Sequence, residues 1–425
     1  MMKTILATAY AVNPYKGSED GTGWNLVGQI ARHNKVIVVT RKNNRPFIEK
    51  YLSENPEVVE NTNATFLYFD LPYWMRFWKK GERGAMLYFY LWQLFMPLFI
   101  YRSGVKFDIA HNLNFHNDWT PTFLWTLGKP LVWGPIGHHP NTPKEYVVKP
   151  YGKKEHFKSR CLWLLKNMFW NLDPFLQIGL LKADKVICMN SSVEKVHFIV
   201  PDKVVRMPAV SAAAPLNNTK INADGKFVIL SVGRLVPMKG FDVTIAAFAE
   251  FYNMLTEEQK STVQLKIVGK GPLLEKMRSD IFKLGIENAV DLCEWVEKEK
   301  MDEIYRQASL FFFPSHEGAG MVVPEALAYG LPVLCFDNEG PGEFIDSSCG
   351  MKIPYSSYNE SVSEFALLLK KMVDDEIFYT KLSAGALRKF ASSFDWNVKG
   401  EVLKTIYDNL IPVTLEKNYL RPSFK

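Results

Sequence analysis

Short apolar runs of five to seven residues recur through the first half of the chain, at residues 4–10, 35–40, 64–69, 107–111, 130–134, 185–189 and 203–208. Several are separated by longer stretches whose apolar positions return every three or four residues. Continuous apolar runs suit strands buried on both faces, and their alternation with helical patterns predicts a parallel sheet flanked by helices. The alternation lapses over residues 207–226, MPAVSAAAPLNNTKINADGK, a stretch rich in Pro, Ala and Asn, and resumes at once afterwards. Such a lapse reads as a linker. The pattern therefore predicts an α/β chain of two doubly wound units, residues 1–205 and 206–395, with residues 396–425 as a closing helix and tail.

The second unit holds the densest chemistry, in SLFFFPSHEGAGMVVPEALAYGLPVLCFDNEGPGEFID at residues 309–346. A buried run at 310–313 empties into a loop with Glu317, Gly318 and Gly320. A short helix follows, with Pro324 and Glu325 near its start and Gly330 as its stop, before a second apolar run at 331–336. Backbone N–H groups and the positive end of a helix suit a phosphate, and ionised carboxylates accept strongly from sugar hydroxyls. Earlier in the same unit, FVILSVGRLVPMKGFD ends a strand at Gly233 and places Arg234 and Lys239 in the next connection, where both could reach one anion. Anion site and hydroxyl acceptors together suggest a nucleotide sugar.

Two glycine-rich turns need separate weighing. LKIVGKGPLLEKM supplies Gly269 and Gly271, but Leu274 stands where a dinucleotide fingerprint needs its third glycine. The first strand ends in VNPYKGSEDGTGW, a loop with Gly17, Gly21 and Gly23 that feeds a helix at the edge where ligands sit in such sheets.

The two glutamates eight positions apart, set between PS and EALAYGLPV and followed by GPGEFID, resemble the signature of the retaining glycosyltransferases of family 4. The resemblance implies a GT-B fold, two Rossmann-like domains facing across a cleft. It implies that Glu317 contacts the transferred sugar, that Glu325 binds the ribose, and that the backbone of Gly320, Met321 and Val322 holds the diphosphate. VGRLVPMKGFD resembles the family's basic turn, which would give Arg234 and Lys239 the neutralisation of that diphosphate. The turn at Gly271 and the backbone around Trp295 and Val296 would lie beside the base. The loop at Gly17, Ser18 and Glu19 would cross the donor phosphates and the acceptor. FDIAH resembles a stretch whose histidine lies near the sugar, making His111 the first candidate and His116 the second. Two positions depart from the family pattern: Ala319, where an aromatic often stands, and His138, in place of a glycine in VWGPIGHHP. The final stretch, SSFDWNVKGEVLKTIYDNL, resembles a helix that crosses back to the first domain.

The implied activity is retaining transfer of a sugar from a nucleoside diphosphate donor to a glycan or lipid-linked acceptor, in cell-surface polysaccharide or glycolipid synthesis. No D-x-D pair is evident, so neither metal nor cofactor is expected; Arg234, Lys239 and a helix end would stand in for the cation. A glycoside hydrolase using the same glutamates would need no basic turn. A nucleotide-sugar epimerase of this fold and a non-enzymatic, membrane-associated glycan-binding scaffold are the other readings.

Composition narrows these readings only slightly. The 425 residues are 47% hydrophobic and 23% charged, and 51 basic against 45 acidic residues give +6. That balance calls for no nucleic acid, though it tolerates an anionic substrate or lipid surface. Five cysteines without a CxxC pair read as reduced thiols, and the N-terminus as a first strand with no signal peptide, so a cytoplasmic protein is expected. Residues 71–102 carry a 17-residue apolar part, 85–101, beside Trp74, Trp78, Lys79, Lys80 and Arg83. It suits either a buried helix or peripheral docking on the inner face of a membrane.

Overall fold

The computed structural model describes residues 2–411 apart from 62, 82, 114–116, 222–224 and 295, and for 59–61, 298 and 299 the main chain alone. His116 and Trp295 lie outside the described residues.

Seven parallel strands form the first sheet, in the order β3-β2-β1-β4-β5-β6-β7. They are β1 Thr4–Thr8, β2 Lys35–Thr40, β3 Ala64–Tyr68, β4 Ile109–Asn112, β5 Leu131–Ile136, β6 Lys185–Cys188 and β7 Val204–Arg206. Every one of them ends within two residues of an apolar run in the sequence. Six more parallel strands form the second sheet, in the order β10-β9-β8-β11-β12-β13: β8 Phe227–Val232, β9 Val263–Val268, β10 Val290–Cys293, β11 Leu310–Phe313, β12 Val333–Phe336 and β13 Gly350–Ile353. Helices cover both faces, as parallel strands require, because neither face can be left to water.

In each sheet the strand order reverses beside the first strand, between β1 and β4 and between β8 and β11. Loops leaving the carboxyl ends at such a reversal diverge and open a crevice. The two crevices face each other, since residues after β5, β6 and the first turn of the chain bond to residues after β11 and β12.

The closing helix, Trp396–Leu410, packs back on the first sheet's side, where Leu403, Ile406 and Tyr407 share a core with Leu26, Val27 and Ile30 of the helix Ser18–Ala31. Gly400 permits the close approach, since a Cβ there would stand 2.5 Å from the Gln29 side-chain oxygen. A link in the other direction comes from the helix Glu145–Tyr151. Tyr146 sits in the second sheet's core, its hydroxyl 2.6 Å from Ser361 Oγ, and Tyr151 donates to Asp242 at 2.6 Å.

The apolar segment forms the helix Ala85–Ser103. Tyr88, Phe89, Trp92, Met96 and Ile100 enter the first sheet's core, while Leu87, Leu94, Leu98 and Tyr101 stay exposed, as do Tyr73 and Trp74 before it. No described helix is long and apolar enough to cross a membrane. All five cysteines are unpaired; Cys188, Cys335 and Cys349 are buried.

Candidate active site

The chain between β11 and the helix Val322–Ala328 is fixed by the turn after β8. Gly240 has φ +70°, and a Cβ on it would stand 2.0 Å from the Pro314 carbonyl oxygen, so only glycine lets these two turns touch. The His316 amide and the Ser315 hydroxyl both donate to the Met238 carbonyl, at 2.9 and 3.2 Å. His316 itself is clamped by the rings of Tyr146, Phe336 and Tyr355 and bonds Tyr355 Oη at 2.9 Å. Its neighbour Glu317 is thereby held to one position.

That position is opposite Lys239. The ammonium donates to both Glu317 oxygens, at 2.7 and 2.8 Å, with side chains only 12% and 10% exposed. The Lys239 stem crosses the face of Gly233, whose absent Cβ would be 3.5 Å away. Arg234, from the same turn, is exposed, and its guanidinium has neither an ion-pair nor a hydrogen-bond partner among the described residues. The turn therefore splits its two cations, one locked to a carboxylate and one open to solvent.

Glu325 lies on the fourth residue of its helix, half-buried, and accepts from the Tyr305 hydroxyl at 2.7 Å. Tyr305 is buried and stacked on Tyr329 at 5.1 Å; burial first, then the charge of Glu325, hold its hydroxyl well above the ordinary range. It is therefore a donor at neutral pH and fixes one carboxylate oxygen. Met321, Val322 and Val296, three of the expected donor-side positions, pack with Ala319 against one apolar cluster. A Cβ on Gly320 would stand 3.1 Å from Pro341, so the loop lies flat on the GPGEF turn. Gly269 and Gly271 are explained by backbone contact: added Cβ atoms would meet the carbonyls of Gly233 at 2.0 Å and Leu235 at 2.4 Å. These glycines let the turn after β9 lie against the basic turn, a need the sequence pattern alone does not distinguish from nucleotide contact.

From the first sheet comes the segment expected as a loop, but only Gly17 precedes the helix Ser18–Ala31, so Ser18 and Glu19 form that helix's first turn. Thr22 Oγ1 donates to Met321 Sδ at 3.6 Å. Among the described residues Ser18 is the single non-glycine with positive φ, at +55°, a conformation that costs about 1–2 kcal/mol for an L-residue. Such strain is kept where surrounding contacts demand it.

His111 is placed differently from the expectation that it faces a sugar. It is fully buried, with Nδ1 2.6 Å from Tyr407 Oη and Nε2 2.7 Å from the Gly134 carbonyl. The carbonyl must accept, so Nε2 carries the proton and Nδ1 accepts from tyrosine. Burial pushes the imidazole down to about 4, the Gly134 bond opposing. Both nitrogens are used in tying β4 and β5 to the closing helix, and neither faces the crevice.

The residues that line the other side of the crevice were not among the sequence candidates. His139 Nδ1 accepts from the Gly318 amide at 3.1 Å, and Asn190 Nδ2 donates both to the His138 carbonyl, at 2.8 Å, and to the Gly318 carbonyl, at 2.9 Å. Ser191 donates to Glu343, and Lys195 pairs with Glu339 at 3.0 Å. His138 explains its own departure from the family pattern: its buried Nδ1 donates to Asp118 at 2.7 Å, and His197 Nε2 reaches the same oxygen at 3.3 Å. Burial raises the Asp118 carboxyl, but these two hydrogen bonds outweigh it and hold the group below its usual range. The advance signal was the adjacent pair His138 and His139, which lacks a spaced carboxylate or further ligand that a metal would need. Among the described residues no three His, Cys, Asp or Glu side chains gather as metal ligands would.

Comparison with known proteins gives the same picture. Residues 216–388 match the family described as glycosyl transferases group 1. The chain is 26% identical over 238 residues to the mannosylfructose-phosphate synthase of Agrobacterium fabrum, covering 53% of this chain and 51% of that one. It is 27% identical over 217 residues to a D-inositol 3-phosphate glycosyltransferase of Kineococcus radiotolerans, covering 47% and 48%. The chain thus spans about half the length of these curated relatives. Whole-chain likeness comes from structure: the sucrose-phosphate synthase of Thermosynechococcus elongatus superposes with a TM-score of 0.66 at 18% identity, covering 96% and 99% of the two chains. The Anabaena protein HepE, solved with UDP and glucose, does so with a TM-score of 0.60 at 15% identity, covering 96% and 100%. The chain therefore has the GT-B fold, and over residues 216–388 it is similar to the glycosyl transferases group 1.

Proposed function

We propose that the protein is a retaining glycosyltransferase that moves a sugar from a nucleoside diphosphate donor to a hydroxyl of a glycan or lipid-linked acceptor. The observation that carries this reading is the Lys239–Glu317 pair at the strand-order reversal of the second sheet. It joins a phosphate-type cation from one motif to a sugar-type carboxylate from another.

An ammonium has three N–H donors, and Glu317 takes two, so one remains to reach a diphosphate that Arg234 also neutralises. The donor then runs from Val296 and Gly271 at the base, past Glu325 at the ribose and the amides of Gly320, Met321 and Val322 at the phosphates, to Glu317 at the sugar. Lys239 and Arg234 stabilise the negative charge that develops on the leaving diphosphate, and Glu317 the positive charge at the sugar. Gly17 and the helical turn that begins at Ser18 and Glu19 close the acceptor side. The leaving phosphate takes the acceptor proton on the same face, which gives retention. His111 serves by fixing the closing helix. The reaction uses neither metal nor cofactor, and the protein works in the cytoplasm.

Exposed Tyr73, Trp74, Leu94, Leu98 and Tyr101, near Lys79 and Lys80, support peripheral contact with a membrane that carries the acceptor. The names of the relatives, a sugar-phosphate synthase and a glycosyltransferase among them, favour transfer over epimerisation. The test is incubation with UDP-, GDP- and ADP-linked sugars and a hydroxyl acceptor, with product anomer and free nucleotide read by NMR. A glycoside of unchanged anomeric configuration is expected. An epimerised sugar with no glycoside would replace this reading with that of an epimerase.

A further inference from the structure

A cavity of about 830 Å³ opens between the helix Lys153–Leu172 on one side and, on the other, residues 234–238 and the start of the helix Leu274–Lys283. Its size falls in the range of about 300–1,000 Å³ usual for small-molecule sites. Four cations line it, Lys158, Lys166, Arg234 and Lys276, against one carboxylate, Glu155. Two of the cations are engaged: Lys158 lies 3.4 Å from Glu155, and Lys276 pairs with Asp280. The side chains of Lys166 and Arg234 have no ion-pair or hydrogen-bond partner among the described residues, and they stand on opposite walls, one from each domain.

We propose that this cavity binds the anionic, phosphate-bearing end of the acceptor, its charge held by Lys166 and by Arg234, whose five N–H donors serve both this anion and the donor diphosphate. The inference rests on the transferase reading and adds the acceptor's chemical class to it. An anion here would compensate Lys166, share Arg234 with the diphosphate and tie the domains together. The site also adjoins the reacting centre. His139 is part of its wall, and the same residue accepts from the amide of Gly318, next to Glu317. Leu162 and Trp163 give the wall an apolar strip for the uncharged part of the ligand. Burial holds the Lys166 ammonium below the ordinary lysine range, with the charge of Asp118 opposing, so it gains from an added anion.

The shared chemistry is a phosphate monoester or diester, from a soluble sugar phosphate or from a lipid head group. The full chain, saturated with whichever nucleoside diphosphate binds it, is titrated by calorimetry with glycerol 3-phosphate, and by co-sedimentation with phosphatidylcholine vesicles with and without phosphatidylglycerol. Binding of either phosphate probe is expected, weakened about tenfold by Lys166→Met and by Leu162→Glu and retained by Lys166→Arg, as loss of one charge-assisted contact implies. Nucleotide affinity, measured on the same samples, stays unchanged in all three variants and reports their folding. Binding of glycerol 3-phosphate assigns a soluble acceptor; binding of phosphatidylglycerol vesicles alone assigns a lipid one. Absence of binding by both probes, or binding that Lys166→Met and Leu162→Glu leave intact, overturns the proposal. Failure of every nucleotide to bind would count against the transferase reading instead.

Discussion

Lys239 grips Glu317 through both carboxylate oxygens, at 2.7 and 2.8 Å, across 78 residues of sequence. Each group is largely buried, and each is the other's compensation, because removing one partner of such a pair leaves a charge that burial penalises. Glu317→Gln should therefore leave nucleoside diphosphate affinity equal or higher, since Lys239 is freed, while transfer falls at least about a hundredfold, the scale of one lost transition-state contact. Parallel calorimetry and turnover assays separate the two. Equal loss of both would remove Glu317 from the sugar and leave it a mere brace for Lys239.

Glu325 is held by Tyr305 through a 2.7 Å bond. Glu325→Ala should weaken nucleotide binding about tenfold or more, and Tyr305→Phe by a smaller factor, because the phenol orients the carboxylate without touching the ligand. A deoxyribose nucleotide discriminates further: it should lose affinity for the native protein and show little further loss in Glu325→Ala.

Gly318 sits where the domains touch, with the place of its missing Cβ only 2.1 Å from the His138 carbonyl oxygen. Gly318→Ala must push backbone from backbone, so the crevice should open. Small-angle scattering should show a larger radius of gyration, and turnover should fall while nucleotide affinity, built within the second domain, changes little.

The buried His111 makes a pH signature. Its native pKa, pushed down to about 4, lies below the ordinary value of 6.5, so the unfolded chain takes up the proton first. Its contribution is complete above about 6.5 and drains away as pH falls toward 4, a total of roughly 3 kcal/mol. His111→Gln should flatten the fall of the unfolding midpoint between those pH values. Asp242, raised by burial to about 6, works oppositely by favouring the native state at low pH, so it sets a background common to both proteins.

How much of this was legible in the chain depends on whether the signal was local. The strands were, because apolar runs such as 310–313 are buried on both faces wherever the parallel sheet places them. The turns of the second domain were legible as turns, since glycines such as Gly240 and Gly271 mark them, but not the backbone contact with Leu235 that Gly271 serves. The Lys239–Glu317 contact was not, since nothing in spacing says that a cation read as a phosphate ligand spends two of its donors on a carboxylate. The role of His111 was hidden because a histidine past a strand reads alike whether it faces a sugar or, as here, Tyr407. The seam of His139, Asn190 and Gly318 joins segments more than 120 residues apart, with |i−j| of 128 for the Asn190 contact. The apolar segment kept both of its readings, with one face of its helix in the core and the other exposed.

The central claim is that the turn after β8 and the loop after β11 form one nucleoside diphosphate site. Its most direct test is calorimetric titration of the native protein, Lys239→Ala and Glu325→Ala with UDP, GDP, ADP and CDP in the presence of a chelator. One nucleotide should bind the native protein without metal and bind each variant at least about tenfold more weakly. Binding that both variants leave unchanged, or no binding of any of the four, would contradict the account.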